Sequence, residues 1–488
     1  MLSVLQAYQV SIKENEYFDA KSAQRQIAVL LTFFIISIVV YVLLSLVAQP
    51  LGKPLEAFMS VWGICFLVYF LACLWIMSTR PLSGRWYWVE LGIIFAGAII
   101  FRVMLLHLPL SLSRDAWRYL WDARVILHGY SPYQHVPFDK VLVPLRDTVF
   151  AQTPYRAALT PYPPAAELFF VLGYLLNPTN LIGLKWLFVL MDIVTCATLM
   201  VFLARKGRDP RYFIIYAWSP LPIVEFAIQG HVDAITIAFT IMAVLSATSS
   251  RRGVRVLVGI FVGLATLTKV YPIVLLLVLM RRRDWELLIA CALTIVLGYL
   301  PFLLLNHGHV LDGNFLTAAI GQHEEHLGII QTPLFGIGMS LHIKAAVTAL
   351  VVHVVEFLLV APTVILVFVQ RIRGRMSMEM AILILIATVL IVYAHVFPWY
   401  AIALLPWITL VAVPIWSVKR FSAKGLAVAT LWYFTSTVTI SYIPALKSLD
   451  NTANWSTYYV VSFGVMLLGL GVALAVARRQ NTVSSSFA

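Results

Sequence analysis

Long apolar stretches recur from one end of this chain to the other, and they constrain its fold more than any other feature. They lie near residues 27–49, 58–77, 88–108, 182–204, 212–228, 233–249, 254–281, 285–306, 345–370, 377–395, 399–417, 424–443 and 457–477. A bilayer core offers no partner to an open backbone N–H or C=O, so segments of about 20 apolar residues cross it as helices. Only 12% of the 488 residues are charged and 61% are hydrophobic, which leaves too few charges to coat a soluble surface. The expected fold class is all-α: a polytopic membrane helix bundle of about 12–14 transmembrane helices, with the lipid bilayer as its surroundings.

The net charge of +13 reads as loops of one membrane side, because Lys and Arg concentrate on the cytoplasmic face. It does not point to nucleic acid. Cys65, Cys73, Cys196 and Cys291 all sit inside apolar runs and read as small core residues. Lys13, Lys21 and Arg25 precede an apolar run too long for a signal-peptide core, so that run is read as a retained span.

Basic clusters set the orientation. They fall at Lys13/Lys21/Arg25, Arg80/Arg85, Arg205–Arg211, Arg251/Arg252/Arg255, Arg281–Arg283, Arg371–Arg375, Lys419/Arg420/Lys424 and Arg478/Arg479. They share one side only if Pro163–Leu176 does not cross and if 254–281 is a pair of short helices turning back at Thr268-Lys-Val-Tyr-Pro272, where proline breaks the ladder. Both termini are then cytoplasmic, and two outer loops result, about 109–181 and 307–344.

Nearly all the unusual polar residues fall on the opposite, outer side. The first loop carries Ser111-Leu-Ser-Arg-Asp-Ala-Trp-Arg-Tyr-Leu-Trp-Asp-Ala-Arg124, followed by Gly129 and Pro132. At 100° per residue, Asp115, Arg118, Tyr119 and Asp122 share one face, which predicts an amphipathic helix lying on the membrane, started by Ser113 and stopped by Gly129. Later helix ends supply Glu225, Gln229, His231, Asp233, Lys269, Tyr271, His395, Trp399 and Tyr400. Polar groups facing lipid are costly, so their convergence on one side argues for a shared aqueous cavity.

Such a cavity supports group transfer. A carboxylate at the start of an interfacial helix, Asp115, is a candidate general base for a hydroxyl acceptor. Lys269, the first-loop arginines Arg118 and Arg124, and His395 are candidates to hold a phosphate and stabilise the charge that develops as it departs. Tyr119, Trp121 and Tyr162 are placed to stack on sugar faces or to form an interfacial aromatic belt. No glycine-rich phosphate loop is present, which argues against a nucleotide-sugar donor. Asp192, in mid-span, is expected to face the bundle with a hydrogen-bonded partner, and Arg102 to snorkel outward or reach a phosphate.

The series Asp115-x-x-Arg118-Tyr-x-Trp121-Asp122-x-Arg124, Gly129-x-x-Pro132-Tyr133, Tyr162-Pro-Pro, Gly230-His-x-Asp233, Lys269-x-Tyr-Pro272 and His395-x-x-Pro398-Trp-Tyr400 resembles the GT-C superfamily of integral-membrane glycosyltransferases. Its closest likeness there is to the bacterial polyprenyl-phosphate-mannose-dependent mannosyltransferases. Ala123 stands where the pattern usually has Gly, and Gly129-Tyr-Ser-Pro replaces Gly-x-Asn-Pro. The resemblance implies a GT-C-like bundle in a bacterial inner membrane, with interfacial helices in the first outer loop and the site on the extracytoplasmic side. It implies inverting transfer of a hexose, most simply mannose, from a polyprenyl-phosphate donor to a glycolipid or glycan hydroxyl, without cofactor or metal. Asp115 would be the base. Arg118, Arg124, Lys269 and His395 would hold the donor phosphate. Tyr119, Trp121, Asp122, Tyr162, Glu225, His231, Asp233, Tyr271, Trp399 and Tyr400 would line the sugar and acceptor sites.

Three parts are expected: an N-terminal tail and hairpin over 1–87, a catalytic module over 88–417, and C-terminal helices with a cytoplasmic tail over 418–488. His307-x-His309 and His323-Glu-Glu-His326 stand outside the pattern and read as a solvated loop rather than a zinc site. Two other readings share the same residues: transfer from another lipid-linked donor (arabinose, aminoarabinose or protein O-mannosylation), and a lipid or glycolipid transporter.

Overall fold

The structure is a computed structural model that describes residues 2–13, 20–51, 54–249, 251, 253–305, 328–393, 396–417, 420–443 and 452–485. It forms two compact units, Met1–His323 and Glu324–Ala488. The described residues are helical almost throughout; a two-residue antiparallel pair, Trp416–Ser417 with Arg420–Phe421, is the small exception among them.

Among the described residues, seven helices are long and apolar enough to cross a membrane: Ala20–Val47, Glu56–Ser78, Arg85–Leu105, Ile182–Arg205, Trp285–Leu305, Ala345–Ile372 and Trp455–Gln480. Shorter apolar helices, Pro164–Leu176, Asp233–Ala247, Val254–Thr266, Met378–Val392 and Pro398–Val411, account for several of the remaining expected spans. Their shortness has local causes. In the expected span 212–228, Pro220 and Pro222 remove backbone donors, and the chain proceeds as a 3-10 turn Pro210–Phe213, a helical turn Ile214–Ala217 and a π-helical turn Ile223–Ile228. It still travels the length of the first unit. Arg211 donates to Glu90 and to the Thr79 carbonyl at one end, while Gln229 bonds the 111–113 backbone at the other.

The expected reversal within 254–281 is present. The Val254–Thr266 helix stops before Lys269, a 3-10 turn Tyr271–Leu275 follows, and the chain comes back. Arg255, at the start of that helix, donates to the Leu279 carbonyl at 2.9 Å and pairs with Asp284; Arg281 donates to the Ala247 carbonyl at 2.8 Å. The described basic clusters of the first unit therefore gather at one end, and the polar residues of interest at the other. Pro164–Leu176 is a 13-residue helix, about 20 Å long and too short to span.

Ile182–Arg205 runs through the middle of the first unit. Its Asp192 is fully buried, paired with Arg102 and accepting from Tyr216 Oη at 2.6 Å. Arg102 also donates to the Ala98 and Ala217 carbonyls. Asp192 thus has the partner expected of it. Arg102 is that partner, and neither snorkels nor reaches outward, because leaving either charge unpaired in so apolar a place would cost several kcal/mol, about 3–5 for a broken buried pair. In the second unit, Ala345–Ile372 keeps a broad apolar face, with Leu350, Phe357 and Ile365 more than 60% exposed, as a lipid-facing helix does.

Candidate active site

The helix predicted in the first loop runs over Asp115–Leu127. The Asp115 N–H donates to Ser113 Oγ at 3.1 Å, and Gly129 ends the helix at φ +82°, a backbone geometry that favours glycine. Nine of its residues, Ala116 and Arg118–Val125, are buried within the protein, because their polar groups find partners there. Asp115 is the acid that remains partly exposed.

Two segments far from it in sequence, 225–233 and 269–271, approach that acid. Gln229 is fully buried, and its Oε1 accepts from the backbone N–H groups of Ser111, Leu112 and Ser113 at 3.2, 3.0 and 3.4 Å. One side chain therefore fixes the loop that delivers Asp115. Gly230 follows at φ +68°, and a Cβ there would lie 3.5 Å from the Cβ of Ala116, within the first turn of the Asp115 helix. His231 is fully buried, with Nδ1 2.9 Å from Glu225 Oε2. Asp233 opens the next helix and accepts from Lys269 Nζ at 2.7 Å. Tyr271, two residues beyond Lys269, lies within the electrostatic reach of Asp233.

Electrostatics ties these groups into one cluster. Burial raises the Asp115 carboxyl above its ordinary value, while His231, the Ser113 hydroxyl and Lys269 oppose that rise and Asp233 adds to it. Burial holds His231 well below its usual range, against the pull of Asp115 and Asp233, so the ring is neutral at pH 7. A partly exposed carboxylate with a raised pKa, within the electrostatic reach of an ammonium group and a neutral imidazole, suits general-base chemistry.

Behind the cluster lies an aromatic and carboxyl layer. Tyr119 stacks on Phe170 at 4.3 Å and meets Tyr162 edge-on at 5.0 Å, with the two phenol oxygens 3.4 Å apart. Tyr162 is partly exposed, and Asp115 lies within its electrostatic reach. The Ala165 N–H donates to the Leu267 carbonyl at 2.9 Å, which holds the Tyr162-Pro-Pro turn against the chain leading into Lys269. Asp122 is paired with Arg118, and Thr160 Oγ1 donates to Glu167 Oε1 at 2.7 Å. Burial, then the Asp122 charge, pushes the Glu167 carboxyl well above its usual range, and burial raises Asp122 too, against the pull of Arg118.

The structure thus brings together Asp115, Tyr119, Tyr162, Glu225, His231, Asp233, Lys269 and Tyr271. Others are engaged elsewhere. Arg118 donates to both Asp122 oxygens and to the Tyr155 and Ala158 carbonyls, and is 2% exposed, so it serves the scaffold. Arg124 sits nine residues along the helix from Asp115, about 13 Å away, paired with Asp147 and bonded to the Leu145 carbonyl. Trp121 is fully buried against Phe150 and presents no face to a sugar. In the second unit, Trp399 stacks on Phe397 at 4.4 Å, and Tyr400 meets Tyr393 edge-on at 5.5 Å. His395 and the histidines at 307, 309, 323 and 326 lie outside the described residues. Among the described residues no group of three or more His, Cys, Asp or Glu is placed to hold a metal ion.

Glu167 was not singled out from sequence, and Gln229 was read only as one of the polar residues at a helix end, without a role. Gln229 adjoins the Gly230-His motif, which is a usable signal. Glu167 is an acid in an otherwise apolar helix, a pattern that marks a buried partner.

With this geometry in place, the chain can be set beside known proteins. Residues 160–394 match the model of glycosyltransferase family 87. This is a GT-C-type family, so the expected GT-C resemblance holds and the match supports a glycosyltransferase. The matched stretch, just under half of the chain, includes Tyr162, Glu225, His231, Asp233, Lys269 and Tyr271; Asp115 precedes it and His395 follows it. No curated protein matches the chain. Two solved structures of ArnT from Cupriavidus metallidurans resemble it. The one bound to undecaprenyl phosphate is 16% identical, with a TM-score of 0.39 over 81% of this chain and 77% of that one. The apo state is 15% identical, with a TM-score of 0.38 over 79% and 76%.

Proposed function

We propose that this protein transfers a hexose, mannose in the simplest case, from a polyprenyl-phosphate donor to a hydroxyl of a glycolipid or glycan on the extracytoplasmic side. The observation that carries the reading is the partly exposed Asp115 carboxylate held beside Lys269 and a neutral His231 by three separate chain segments. In the proposed step the acceptor oxygen attacks the anomeric carbon as its proton passes to Asp115. The bond from that carbon to the phosphate oxygen breaks with inversion, and the polyprenyl phosphate departs carrying the added negative charge. Lys269, already placed by Asp233, is the cation nearest that developing charge. Tyr162 and Tyr271, both partly exposed, offer hydroxyls to the sugar. The His395-x-x-Pro398-Trp399-Tyr400 motif is proposed as a second phosphate-binding element on the strength of its pattern.

Purified protein incubated with radiolabelled polyprenyl-phosphate mannose, glucose, arabinose and aminoarabinose tests the donor. Transfer from mannose above the others supports the reading; label moved from none of them to any hydroxyl acceptor sinks it.

A further inference from the structure

The other end of the first unit carries a second feature, independent of transfer chemistry. A cavity of about 700 Å³ opens where Ile182–Arg205 ends, Asp233–Ala247 ends and Val254–Thr266 begins. Its walls include Arg205, Lys206 and Arg251, the hydroxyl residues Thr248 and Ser249, and the apolar Leu257. Among the described residues no carboxylate lines it. Two acids at this end of the unit are already engaged, Asp209 with Arg211 and Asp284 with Arg255, and Arg205 and Arg251 make no ion pair among the described residues.

Two helix C-termini face this space, each equivalent to roughly half a negative charge, so Arg205 and Arg251 alone leave a surplus of about one positive charge. Each also lies at the end of an apolar helix, where a bilayer places its headgroups. Leu257, 40% exposed beside Val256, also 40% exposed, continues the cavity wall as an apolar strip along Val254–Thr266.

We propose that this cavity binds the headgroup of an anionic phospholipid. The phosphodiester oxygens would sit among Arg205, Lys206 and Arg251, the headgroup hydroxyls against Thr248 and Ser249, and an acyl chain along Val256 and Leu257. Basic pockets between membrane helices select acidic headgroups in this way. The volume exceeds what a lone phosphate ion fills, and the apolar strip has no use for one, so a lipid is the better fit.

Native mass spectrometry of the full-length protein in neutral detergent tests this, with phosphatidylglycerol, phosphatidylcholine and inorganic phosphate as probes. The expected result is retention of phosphatidylglycerol about tenfold above phosphatidylcholine, resistance to millimolar phosphate, and about tenfold loss in Arg205→Gln/Arg251→Gln. The charge-preserving Arg205→Lys/Arg251→Lys protein should retain the lipid, which separates lost charge from lost fold. Equal retention of the two lipids, unchanged retention in the Gln double variant, loss in the Lys double variant equal to that in the Gln variant, or displacement by phosphate would each overturn the proposal. The readout is lipid binding, so it is unaffected by whether the transfer reading stands.

Discussion

Gln229→Leu is the most informative perturbation of the scaffold behind the acid. Leucine has a similar volume but no acceptor, so the N–H groups of Ser111, Leu112 and Ser113 lose the oxygen they share. That oxygen has two lone pairs and makes about two full bonds. Ser111 and Leu112 are both buried, at 5% and 4% exposure. Leaving a buried donor unsatisfied costs about 1–3 kcal/mol, which puts the variant about 2–4 kcal/mol below wild type. The same loop carries Asp115, and a misplacement of about 1 Å at a reacting group lowers turnover about 100-fold. The assay pairs thermal unfolding in detergent with single-turnover transfer. Gln229→Glu keeps an oxygen in the same place and should stay much closer to wild type in both. A Leu variant as stable and active as wild type would refute the idea that this side chain aims the acid.

Removing the Lys269 charge (Lys269→Met) leaves Asp233 nearly buried and alone, and should cost about 3–5 kcal/mol, with much of it recovered in Lys269→Met/Asp233→Asn; additive losses in the double variant would argue against a coupled pair. Donor affinity should stay low in both proteins, as equilibrium binding would report. Because the folded-state pKa of Glu167 is raised, the folded chain holds a proton that the unfolded chain releases above the ordinary Glu range. Stability should therefore fall as pH climbs from that range toward the raised value, by up to about 1.4 kcal/mol per pH unit. Glu167→Gln should flatten that slope in unfolding measured across pH, and an unchanged slope would show that Glu167 is ionised. Asp115 is also raised, so the acid limb of the transfer rate should lie above the usual Asp range, with protonation abolishing the base as pH falls. A limb persisting in Asp115→Asn would assign it to another group.

Much of the architecture was legible in the sequence because bilayer physics is strict. Apolar length gives spans, the basic clusters of the first unit give one common end, and Pro272 with Lys269 in an apolar run marks a helix that turns back. The helix over Asp115–Leu127 was legible from its period and from Gly129. Its burial was not, because amphipathicity alone does not distinguish a helix lying on lipid from one packed on Pro164–Leu176; the partners of Arg118 decide that, and they are the carbonyls of Tyr155 and Ala158, which carry no side-chain signature. The same limit explains Arg124 and Trp121, which share a motif with Asp115 yet point to Asp147 and Phe150. The break of 212–228 into short turns follows from Pro220 and Pro222. The reach of Gln229 to residue 111 follows only from the three-dimensional path that break creates.

The central claim concerns one carboxylate, and Asp115→Asn tests it most directly because size and hydrogen-bonding capacity are kept while the base is lost. Transfer from radiolabelled polyprenyl-phosphate mannose should fall by about 100- to 10,000-fold with donor binding intact. Transfer within a few-fold of wild type would contradict the account and leave the cluster around Lys269 without its proposed base.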